Sequence, residues 1–86
     1  MPEISRFLGI VIYIYYADHH PPHFHAEYGK YEASFSIHDL KLISGKLPAR
    51  VISLVLEWAF LHREELIEDW KLSREKAPLN KIKPLV

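Results

Sequence analysis

The stretch 23-HFHAEYGKYEASFSIH-38 decides the fold. Its residues alternate with a period of two, the spacing that sends successive side chains to opposite faces of a strand. Phe24, Ala26 and Tyr28 share one face, and His23, His25 and Glu27 share the other. Gly29-Lys30 interrupts the pattern with the glycine-first pair suited to a type II′ hairpin turn. Beyond the turn Tyr31, Ala33, Phe35 and Ile37 form an apolar face, and Glu32, Ser34, Ser36 and His38 a polar one. Pairing Tyr28 with Tyr31 sets Glu27 against Glu32, His25 against Ser34 and His23 against Ser36. Directly opposed residues share a face. One side of the hairpin therefore packs inward, and the other carries His23, His25, Glu27, Glu32, Ser34, Ser36 and His38.

Upstream, 8-LGIVIYIYY-16 is a β-branched and aromatic run that reads as a strand. Leu8, Ile10, Ile12 and Ile14 form its core face; Tyr13 and Tyr15 join the polar face of the hairpin. The linking 17-ADHHPP-22 is a loop, because two prolines cannot continue a ladder. Downstream, 40-LKLIS-44 reads as a short strand broken by Gly45, and Pro48 suits the first position of a helix. Val51, Leu54, Val55, Trp58, Leu61, Leu66 and Trp70 recur at helical spacing, so 48–77 reads as one helix, ending or kinking near Trp70. Ile52, Leu56 and Phe60 widen its apolar surface, which points to a homodimer or a protein partner. Pro78 stops the helix, and 79-LNKIKPLV-86 is an edge-strand candidate. The expected architecture is α+β over a single domain, 1–86. A small antiparallel sheet of three to four strands packs against one long C-terminal helix.

Composition narrows the chemistry. Eighty-six residues, 49% of them hydrophobic, support one small core. Cysteine is absent, so a zinc site must draw on His, Asp, Glu or water. Eleven basic and eleven acidic residues cancel, which weakens any non-specific hold on nucleic acid. The longest apolar run, 7-FLGIVIYIYYA-17, is about half of the roughly 20 residues of a membrane helix. No membrane association is expected, and the chain reads as cytoplasmic.

Four of the six histidines, His19, His20, His23 and His25, fall within 19–25. Two chemistries suit them. In the first, His23 and His25 are an acid–base pair acting on RNA, with Glu27 orienting one imidazole and Tyr13 as a stacking or proton-positioning group. In the second, His23 and His25 bind a divalent metal such as zinc, with further ligands among Glu27, His20, Asp18 and His38. A plainer reading stands beside both: the histidines hydrogen-bond across the ladder and present a docking surface. The residues alone leave the three open.

The pieces 2-PEISRFLGIVI-12, 20-HPPHFHAEYGKYEA-33, 45-GKLP-48 and 56-LEWAFLHREEL-66 resemble a family of short bacterial proteins, domain of unknown function 4160. Its signature falls on His20 through Gly29. The resemblance implies no established activity and transfers no catalytic residue. It does imply gene neighbourhood with a second small protein, and hence a two-gene module of toxin–antitoxin type. In that setting the chain would be a toxin-like component that acts on or binds RNA, with the neighbouring gene product as partner.

Overall fold

The computed structural model describes residues 2–86. Five strands form one antiparallel sheet in chain order: β1 (Glu3–Phe7), β2 (Ile10–Tyr13), β3 (His23–Tyr28), β4 (Tyr31–Ser36) and β5 (Leu42–Lys46). Two helices follow, α1 (Ala49–Leu61) and α2 (Arg63–Arg74). The α+β class is as expected, but the sheet has five strands rather than three to four, and two helices replace the one.

The central hairpin follows the alternation. Tyr28 pairs with Tyr31, Glu27 with Glu32, His25 with Ser34 and His23 with Ser36. Gly29 turns at φ +59°, the positive φ that a glycine-first hairpin turn requires. The run 8–16 is not one strand. Leu8 and Gly9 both take positive φ, +51° and +79°, and make a two-residue turn between β1 and β2. Hydrophobicity hid this turn, because leucine rarely marks a left-handed position. Leu8 is accordingly exposed, whereas Ile10, Ile12 and Ile14 are buried.

Gly45 does not end β5; it permits it. A Cβ at that position would lie 2.3 Å from the Glu32 carbonyl oxygen and 2.6 Å from Ala33 Cα. Only glycine lets the two backbones approach so closely.

The helical segment breaks at His62, where φ −124° and ψ 26° leave the helical region, and not near Trp70. Arg63 then reaches back to the carbonyls of Ile37 and His38, at 3.4 and 2.8 Å. The break lets both segments keep an apolar stripe on the sheet. α1 buries Val51, Val55, Trp58 and Ala59, and α2 buries Leu66 and Trp70. These meet Ile10, Ile12, Ile14, Phe24, Ala26, Phe35 and Ile37 in one core.

Pro48 precedes the first helical residue and accepts the first intrahelical bond, from Ile52 N–H at 3.0 Å. Residues 79–86 form no strand. They strap the molecule instead: Ile82 N–H donates to the Ile4 carbonyl at 2.8 Å, and the Trp58 indole donates to the Lys83 carbonyl at 2.9 Å. Ile82 is buried, and Leu79 and Leu85 pack on the core, so the chain itself covers part of the helical surface that pointed to a partner.

Candidate metal centre

The loop 14–22, which joins β2 to β3, lies against the C-terminal end of α2, which fixes it. Ala17, at φ +54°, donates its N–H to the Ser73 carbonyl at 3.1 Å, and the Arg74 guanidinium donates to the Asp18 carbonyl. Asp18 Oδ1 accepts the His19 N–H at 2.8 Å. These bonds aim the other carboxylate oxygen, Oδ2, at β3. There it lies 2.9 Å from His23 Nε2 and 3.3 Å from His25 Nε2.

The proton inventory of this cluster is informative. His23 Nδ1 lies 2.7 Å from the Pro21 carbonyl, which can only accept, so Nδ1 carries a hydrogen. A neutral His23 then presents a bare Nε2 lone pair to the Asp18 carboxylate. Two acceptors facing each other at hydrogen-bond distance need a cation between them, either a second proton on the ring or a metal ion. His25 presents its Nε2 to the same oxygen. Its pKa is lowered, first by burial, which disfavours the imidazolium, with His23 adding to the effect and Asp18 opposing it. Burial opposes the charge on Asp18, but hydrogen bonds from His19 and His25 and the charge of His23 together outweigh it, and its pKa is lowered.

The donor atoms of Asp18, His23 and His25 all lie within 4.8 Å of one another. Metal–ligand bonds of about 2.0–2.1 Å place neighbouring donors about 2.9–3.4 Å apart at angles between square and tetrahedral. The two Asp18–imidazole separations, 2.9 and 3.3 Å, fall in that range. The Nδ1–H of His23 on a backbone carbonyl is the outer hydrogen bond that orients a ligating histidine. The cluster opens into a cavity of about 270 Å³ lined also by Tyr15, His19, Ser34, Ile43 and Ser44.

Of the other sequence-predicted site residues, Tyr13 touches the cluster, and His20, His38 and Glu27 lie outside it. His20 and His38 line a separate cavity on the far side of the Pro21-Pro22 loop, with Trp70, Lys71 and Arg74. The strand register sets Glu27 beside Val11 and Glu32, two pairs beyond His25, and the carboxylate on the imidazoles is Asp18. Tyr13 is fully buried; its ring stacks on His25 with centroids 5.2 Å apart, and its hydroxyl donates to Glu32. Burial, and after it the bond to Glu32, raise the Tyr13 pKa far above the ordinary phenol value. Tyr13 is therefore a neutral donor that positions His25, and it has no free face for a base.

Sequence reasoning gave no role to Glu32 or to Ser44, whose hydroxyl lies 2.7 Å from that of Ser34 on the cavity wall. The Glu27–Glu32 opposition was the available signal for Glu32: two carboxylates paired across a ladder need a donor, and Tyr13 supplies one.

A family model described as Domain of unknown function (DUF4160) matches residues 9–71, from the turn before β2 into α2, and so contains all three clustered residues. No curated protein and no solved structure matches the chain.

Proposed function

The chain belongs to the DUF4160 family, and for this member we propose a divalent-metal-binding function, with zinc as the reference ion. His23 Nε2, His25 Nε2 and Asp18 Oδ2 are the ligands. One observation carries the reading: a single carboxylate oxygen is shared by two imidazole nitrogens, while the other nitrogen of His23 already donates to a carbonyl. Neutral imidazoles with a carboxylate suit zinc and neighbouring divalent ions. With three protein ligands, a bound metal would have room for water, which it would acidify and make nucleophilic. His20 and His38 have no part in this site.

The test is equilibrium dialysis of metal-stripped protein against zinc, with the bound metal counted by elemental analysis. Wild type should retain about one equivalent, and Asp18→Asn and His25→Gln should bind at least tenfold more weakly. Retention below about a tenth of an equivalent by folded wild type would sink the proposal.

The RNA-directed, toxin-like reading is retained as a second one on a specific observation. Tyr15, 40% exposed, lines the same cavity, and Tyr16, 43% exposed, follows it. Exposed tyrosines offer stacking faces for unpaired bases. Its setting would be the cytoplasm, with the neighbouring gene product as partner. Growth arrest on induction of wild type but not of His25→Gln, at matched soluble expression, would support it; no arrest by either would remove it.

A further inference from the structure

We propose that the free edge of β5 is a strand-addition site for an extended segment of a protein partner with acidic residues at both ends. The contact is to backbone and lysine side chains, so it stands independently of the metal.

The sheet has two edges, and they differ. The chain covers the β1 edge itself: Ile82 N–H donates to the Ile4 carbonyl, and Lys81 Nζ donates to the Glu3 carbonyl at 2.8 Å. β5 pairs only with β4, and four of its five residues are exposed. Among the described residues no loop or tail hydrogen-bonds to its outer side. The backbone donors and acceptors of that side are left for water or for another strand.

Two local features say what fits there. The first is a bulge. Ser34 pairs with Ser44 and Phe35 with Leu42, so Ile43 has no partner across the ladder. A bulge re-aims the side chain it frees. Ile43 is 46% exposed and stands with Ser44 on the wall of the histidine cavity. It is an apolar anchor at the middle of an open edge.

The second feature is charge. Lys41 and Lys46 flank the anchor, are exposed, and make no ion pair among the described residues. One self-pairing register of β5 is disfavoured. Antiparallel self-pairing with Ile43 set against Ser44 places Lys41 against Lys46 at both ends, and like charges directly opposed are destabilising. A strand with acidic ends and an apolar centre satisfies both lysines and covers Ile43. Lysines and bulges also serve to keep edges unpaired, and that alternative is one outcome of the test.

The probes are three synthetic acetylated heptapeptides. One alternates valine and threonine between two terminal glutamates. The second replaces the glutamates with lysines. The third is the glutamate peptide N-methylated at alternate residues, which removes backbone donors. Each is titrated into the isotope-labelled full chain while backbone amide resonances are followed. The glutamate peptide should shift the amides of residues 41–46 and bind about fivefold more tightly than the lysine peptide. The N-methylated peptide should not bind. A Lys41→Glu/Lys46→Gln variant, which sets no second carboxylate against Glu32, should lose the preference. The proposal is overturned by no shift at about 1 mM glutamate peptide, by equal binding of the N-methylated peptide, or by an unchanged preference in the double variant. Concentration-dependent dimerisation through the same amides would overturn it in favour of a second copy.

Discussion

At the scale of single residues, the cluster rests on one carboxylate with two distinct tasks. Asp18 Oδ1 closes its own loop by accepting the His19 N–H, which leaves Oδ2 for the two imidazoles. The resulting shifts fix the sign of a pH dependence. His25 is lowered from its ordinary 6.5 by burial, so between its folded value and 6.5 the unfolded chain binds more protons. Stability therefore rises with pH through that window. Asp18 is lowered from its ordinary 3.8, so the stability it contributes is present above 3.8 and is lost as pH falls through its folded value. Urea midpoints measured from pH 3 to pH 8 should show both steps, and His25→Gln should remove the upper one alone. An upper step that persists in His25→Gln would assign it to another histidine.

Single residues also separate what was legible from what was not. The facing of His23 and His25 was readable, because strand alternation is strict. The choice of Asp18 over Glu27 was not. Glu27 shares the strand face, but the ladder holds it two pairs beyond His25, whereas Asp18 comes from a loop whose path is set by Ser73 and Arg74 more than fifty residues away.

At the scale of elements, Gly45 shows how one position sets strand pairing. Its φ of +87° and the 2.3 Å approach that a Cβ would make to the Glu32 carbonyl are both prohibitive for alanine. The obstructing atoms are backbone and cannot rotate away. Gly45→Ala should lower stability by more than about 2 kcal/mol, and hydrogen exchange should place the loosening in β4–β5. A thermal midpoint unchanged from wild type would refute this account. Gly45 looked like a terminator because glycine weakens isolated strands; its actual role depends on what lies across the ladder. The helix break has the same character. Helical periodicity continues through His62, and the bond pattern of Arg63 with the β4–β5 turn, rather than any proline or glycine, marks where α2 begins.

At the scale of the whole molecule, the C-terminal strap joins the first strand to both helices. Trp58 holds it from α1, Ile4 from β1, and from α2 Asp69 Oδ1 accepts the Asn80 N–H at 2.9 Å. Asp69 is fully buried and its Oδ2 has no partner. Burial raises its pKa, against the lowering effect of the Asn80 N–H, with Glu65 and Glu68 adding to the rise. A raised folded value means that its favourable contribution is complete below 3.8 and declines as pH rises toward that folded value. Asp69→Asn keeps the acceptor for Asn80 and removes the buried charge. It should stabilise the protein by about 1 kcal/mol at pH 7 and by nearly nothing at about pH 3. Destabilisation at pH 7 would show that the charge has a partner in solution. Among the described residues no helix is long and apolar enough to cross a membrane.

Sequence pattern was enough for the α+β class, the central hairpin and its register, and the inward and outward faces of β2, β3 and β4. Those features depend on a period of two and on one glycine turn, both local. Tertiary contacts settled the rest: the continuation of β5 through Gly45 to Lys46, the break at His62, the strap, and which carboxylate meets the histidines. Each of these is settled by contacts between residues distant in sequence: Gly45 on Glu32, Arg63 on Ile37, Ile82 on Ile4, and Arg74 on Asp18. Alternation can bring two imidazoles to one face, but only a folded loop pinned by a helix can bring an acid to both.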